Sequence, residues 1–185
     1  YSSLCYDAKH WSIAALSDMK DRIIYLNGFS KSHAMTGWRL GYIAAPKYLS
    51  DMMLKIHQYT ALCAPSMAQY AAIEALKNSR RDVDRMIAEY RRRRNYIVGQ
   101  FRSIGFPCLM PEGAFYVFPD VSPTGMEGRA FALELLREEK VAVVPGDVFG
   151  DCGKNHIRCS YATSMDNLRE AMKRIKSFSE RIMKK

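Results

Sequence analysis

Two cations eight residues apart, Lys31 and Arg39, share the segment Gly28-Phe29-Ser30-Lys31-Ser32-His33-Ala34-Met35-Thr36-Gly37-Trp38-Arg39-Leu40-Gly41, with a short apolar run on either side. A lysine becomes a covalent catalyst when a confined, partly desolvated place disfavours its protonated form. The small residues Gly28, Ser30, Ser32 and Ala34 allow a bound group to approach the backbone of such a turn closely. Arg39 lies in the second apolar run, and a guanidinium buried in a strand needs a partner. Arg158, inside Asn155-His156-Ile157-Arg158-Cys159-Ser160-Tyr161-Ala162, makes the same demand. The Ser30 hydroxyl is suited either to a ligand or to capping its own loop.

The elements that must hold these residues follow from periodicity. Arg22 to Asn27 reads as a buried strand ending at Gly28, and Trp38 to Ala45 as a second strand closed by Pro46. The lysine turn is thus expected to be anchored at both ends. Residues 47 to 59 have amphipathic helical spacing, and a helix runs from Ser66, its expected N-cap, to about Lys77. After the break at 78–82 a long helix carries Val83, Met86, Ile87, Tyr90, Ile97, Phe101 and Ile104, and ends at Gly105. Beyond it the texture is α+β: strands at 113–118, 141–144 and 156–161, and helices at 131–140 and 167–183.

Composition narrows the function classes. Of the 185 residues 48% are apolar, as in a globular protein, and no apolar run is long enough to span a bilayer. Much of the net charge of +9 comes from Arg91–Arg94 and the basic residues after Lys173. Both clusters lie in helical patterns, read as solvated faces, and no nucleic-acid-binding signature accompanies them. The five cysteines include no C-x-x-C pair, and the four histidines are dispersed, so no metal site is expected and reduced thiols of a cytoplasmic protein fit best. Cys152 and Cys159 are the one pair spaced to meet across a hairpin. His33 and His57 read as ordinary polar residues, and the eleven methionines as core filling.

The segment from Gly28 to Gly41 resembles the lysine site of class I/II (fold-type I) pyridoxal-phosphate-dependent aminotransferases, matching every position that pattern restricts. The resemblance implies an α/β fold: the C-terminal part of the large cofactor domain over 1–62, connecting helices over 63–104 and a small α+β domain over 105–185. It implies that Lys31 forms a Schiff base with pyridoxal 5'-phosphate, and that Arg39, assisted by Ser30, binds the phosphate. Tyr1, in Tyr1-Ser2-Ser3-Leu4-Cys5-Tyr6, would hydrogen-bond the phenolic oxygen of the cofactor, and Arg158 would grip the substrate α-carboxylate. The family's phosphate loop, ring-stacking aromatic, substrate-side asparagine and pyridine-binding aspartate have no counterpart here, so the chain is expected to be the second half of such an enzyme, inactive alone. The intact protein is expected to be a homodimer that exchanges an amino group between an L-amino acid and a 2-oxo acid. The alternatives are a lyase or synthase on the same scaffold, sharing Lys31, Arg39 and Arg158, and a non-catalytic basic binding module.

Overall fold

The computed structural model describes residues 1–184; one compact unit spans Tyr1–Ile87 and a second begins at Ala88. In the first unit, 3-10 turns at Ile13–Ala15 and Ser17–Arg22 lead into strand β1 (Tyr25–Gly28). A one-turn helix α1 (Phe29–Ser32) and a 3-10 turn at Thr36–Trp38 follow, and then β2 (Gly41–Ala44). β1 and β2 pair antiparallel from Tyr25 opposite Ala44 to Gly28 opposite Gly41. A Cβ on Gly41 would lie 3.1 Å from the Asn27 carbonyl oxygen, so this tight rung favours glycine.

The apolar runs predict strands buried on both faces. Instead Leu26 and Ile43 are exposed, because β1 and β2 form a two-stranded sheet with no third strand beside it among the described residues. The unit's packing gathers below the lysine segment. Phe29, Met35 and Ala72 are buried together, against Leu40, Ala71 and Ala75. Helix α2 (Lys47–Thr60) turns Leu49, Ser50 and Met53 inward but fully buries none of its side chains. In α3 (Ser66–Asn78) Pro65 takes the N-cap position and Ser66 is the first helical residue, a shift of one from expectation; proline suits this place because it needs no donor there.

Only Ser79 separates α3 from α4 (Arg80–Ile104), so the expected five-residue break is a single-residue kink. The second unit contains most of α4, then β3 (Tyr116–Val117), α5 (Gly128–Glu139), β4 (Val144–Pro145), β5 (Ile157–Ser160) and α6 (Met165–Met183). β5 is central, antiparallel to both β3 and β4. The expected strand at 141–144 shrinks to its last residue: Lys140 ends α5 in the left-handed region at φ 57°, and Pro145 belongs to β4 instead of closing it.

Helix α6 explains its own register. The Ser164 hydroxyl accepts from the Asn167 amide at 3.1 Å, starting the helix two residues earlier than its apolar pattern suggests. Leu168, Met172, Ile175 and Phe178 then recur on one buried face. Phe178 meets Phe131 of α5 edge-on, and Phe131 meets Phe106 in the same way. One residue of the arginine run departs from the solvated reading. Arg94 is buried, donating to the Pro111 carbonyl at 2.9 Å and to Asn95 Oδ1, whereas Arg91 and Arg92 are exposed. All five cysteines are free, Cys152 exposed and Cys159 buried.

Candidate functional site

Lys31 lies in α1, whose N-cap is Gly28, the last residue of β1. The turn is closed by its own backbone: the Phe29 amide donates to the Leu40 carbonyl at 3.3 Å, and the Phe29 carbonyl accepts from His33 and Met35. Burial of Phe29 beneath this clasp pins the helix, while Lys31 itself stays partly exposed. Ser32 is buried, its hydroxyl 3.3 Å from the Gly28 carbonyl and 2.7 Å from His33 Nδ1. Burial pushes the His33 imidazole below its ordinary pKa, so the ring beside the lysine helix resists protonation.

Arg39 differs from expectation in two respects. It precedes β2 rather than lying in it, and it is exposed, with a left-handed backbone at φ 54°. The 3-10 turn at Thr36–Trp38 takes Trp38, the first residue that the apolar pattern assigns to a strand, and Arg39 follows in the left-handed region. Burial therefore does not force a partner on Arg39. Its Nη1 donates to the Thr36 carbonyl at 3.0 Å, and no carboxylate forms an ion pair with it among the described residues. Thr36 is the link that sequence reasoning missed. Its hydroxyl donates to the Ser30 carbonyl at 2.9 Å while its own carbonyl receives Arg39, so one residue ties the lysine helix to the arginine. No aspartate or glutamate occurs between Arg22 and Ser50.

Tyr1 is about half exposed, and its carbonyl accepts from the Leu4 amide at 2.9 Å. With His10, Trp11, Tyr25 and Asn27 it borders an open cavity of about 310 Å³ beside the strand that leads to Lys31.

Arg158 belongs to the second unit, where strand alternation settles its direction. Ile157 and Cys159 point into the core, and Arg158 and Ser160 point outward. Tyr116, opposite Ser160 across the β3–β5 ladder, shares that outer face. The guanidinium carbon of Arg158 lies 4.6 Å from the ring centre of Tyr116 and 4.6 Å from that of Phe149. Phe149 comes from the 3-10 turn Gly146–Phe149 after β4. No carboxylate pairs with Arg158 among the described residues, so its partners are aromatic faces.

Comparison with known proteins decides what this arrangement belongs to. The family model described as aminotransferase class I and II matches residues 1–175. The chain is a member of that family. It is 57% identical over 178 residues to a putative aminotransferase, YugH, of Bacillus subtilis, covering 96% of this chain and 46% of the relative. It is 46% identical to an aspartate aminotransferase of Pyrococcus abyssi, with 95% and 46% covered. The crystal structure of an aromatic aminotransferase from Pyrococcus horikoshii superposes with a TM-score of 0.92 at 44% identity, over 98% of this chain and 49% of that one. The fold is thus the α/β architecture of aminotransferases, and the chain spans about half the length of the relatives it matches.

Proposed function

We propose that this chain is the cofactor-lysine and small-domain half of a pyridoxal-phosphate-dependent aminotransferase that passes an amino group between an L-amino acid and a 2-oxo acid. The observation that carries the reading is the Lys31 turn, with its lysine, hydroxyl and arginine held on one closed loop through Thr36. Family membership supports the same conclusion, and the names of the relatives favour transamination over a lyase or synthase. In this reading residues 1–62 end the large domain, 63–104 connect, and 105–185 form the small domain. The intact enzyme works as a cytoplasmic homodimer; no described helix is long and apolar enough to cross a membrane.

The donor set suits a phosphorylated aldehyde. Arg39 offers a planar fork of N–H donors to a dianion, with its competing local contact a single carbonyl, and Ser30 adds a hydroxyl. Gly28 and Gly41 keep side chains off the rung behind them. Tyr1 donates to a phenolic oxygen. Pyridoxal phosphate, bound here, supplies an electron sink for charge developing at the substrate α-carbon. Lys31 would hold the cofactor through Nζ, and its amine would serve as the base for the substrate α-proton. Arg158 orients the substrate by gripping its α-carboxylate in two parallel hydrogen bonds.

The decisive test is borohydride reduction of the full-length protein with pyridoxal phosphate, followed by peptide mapping. A single adduct on Lys31 and loss of turnover in Lys31→Ala are expected. Scattered labelling, or an active Lys31→Ala enzyme, refutes the assignment.

A further inference from the structure

The ring centres of Tyr116 and Phe149 each lie 4.6 Å from the guanidinium carbon of Arg158. Rings packed against a guanidinium restrict its rotamers without taking up its N–H donors, which stay available to a ligand. The flanking residues are themselves braced. Phe118 meets Phe149 edge-on at 6.0 Å, His156 stacks on Phe118 at 4.9 Å, and on the other side Phe115 lies 4.7 Å from Tyr116. Arg158 therefore sits within a column of rings contributed by residues 115–118, His156 and the turn after β4.

The geometry points to Phe149 and Tyr116 as positioning residues for substrate carboxylate recognition: they fix the plane of Arg158 so that its donor edge meets an α-carboxylate without first losing rotamer freedom. This rests on the proposed role of Arg158. Arginine has many rotamers, and immobilising it only on binding would weaken the grip. Phe149 serves this purpose at the surface. It is half exposed, so its ring is not required to fill the core. Sequence spacing gives no sign of the pairing, since Phe149 reaches Arg158 only through the turn at Gly146–Phe149.

The test uses the full-length enzyme with pyridoxal phosphate and whichever of L-aspartate, L-phenylalanine or L-alanine it turns over. Phe149→Leu keeps apolar bulk and removes the π face, and is expected to raise KM roughly three- to tenfold with kcat little changed, the effect of one partly exposed cation–π contact. Tyr116→Leu should act in the same direction, whereas Phe149→Tyr and Tyr116→Phe should restore near-normal KM. In an Arg158→Lys background the additional effect of Phe149→Leu should vanish, as expected of residues acting through one another. Unchanged KM in Arg158→Lys overturns the carboxylate role and the proposal with it. Raised KM in Arg158→Lys beside unchanged KM in Phe149→Leu overturns the positioning role alone. A fall in kcat and thermal stability with KM unmoved assigns Phe149 to structure and also overturns it.

Discussion

Two glycines of the second unit should respond to the same substitution with opposite signs. Gly146 starts the turn that carries Phe149, and its amide donates to the His156 carbonyl at 2.8 Å. A Cβ there would collide with the Gly153 oxygen and lie 2.6 Å from the His156 oxygen, both backbone atoms that cannot swing aside. Overpacking of this kind costs about 1–3 kcal/mol. Relief requires the turn to back away from His156, which forfeits a hydrogen bond of about 0.5–1.5 kcal/mol. Gly146→Ala is therefore expected to lose roughly 2–4 kcal/mol. Gly99 lies on the exposed side of α4 with nothing within 4 Å of a built Cβ. There the only effect is relief of glycine's backbone entropy in a helix, so Gly99→Ala should gain about 0.5–1 kcal/mol. Urea unfolding read by circular dichroism, with the m-value unchanged, measures both. A Gly146→Ala protein within about 0.5 kcal/mol of the parent would refute the close-approach argument, as would a loss at Gly99.

Arg94→Met should cost about 2–3 kcal/mol, because it leaves the Pro111 carbonyl without the buried donor that now satisfies it, whereas Arg92→Met, removing a surface pair with Glu89, should cost under about 1 kcal/mol; equal urea midpoints would show that burial does not separate them. Burial depresses the His33 pKa below 6.5, so the folded state binds its proton less readily than the unfolded one. Stability from this residue is therefore complete above pH 6.5 and lost as pH falls from there through the folded value; an imidazole titration by NMR with its midpoint at or above 6.5 would contradict this.

The lysine turn was legible because its information is local. Within fourteen residues the small side chains, the lysine and the arginine stand at fixed spacings, and the ends are marked by glycines facing each other across a ladder. Its interior was not legible. A run of apolar and aromatic residues at 38–45 reads as extended, but Thr36–Trp38 spends part of it on a 3-10 turn, and Arg39 enters the left-handed region to bring the chain back into β2. The Thr36 tether follows from that bend, and no periodicity encodes it.

The two arginines outside that turn make the complementary case. Arg94 belongs to a run of four identical residues on one helix, and nothing in the run distinguishes it; the Pro111 carbonyl, seventeen residues on, decides that it is buried. Arg158 was readable as a strand residue, and in the structure it alternates with the buried Ile157 and Cys159 and faces outward. Its surroundings were not readable in the same way. Tyr116 reaches it across one ladder and Phe149 across a turn, so the ring column depends on register and turn geometry together. Local spacing thus names the residues able to do chemistry, whereas what holds them at the right angle comes from contacts made elsewhere in the chain. For this reason the sharpest test of the site lies in Phe149, which would touch neither cofactor nor reacting atom.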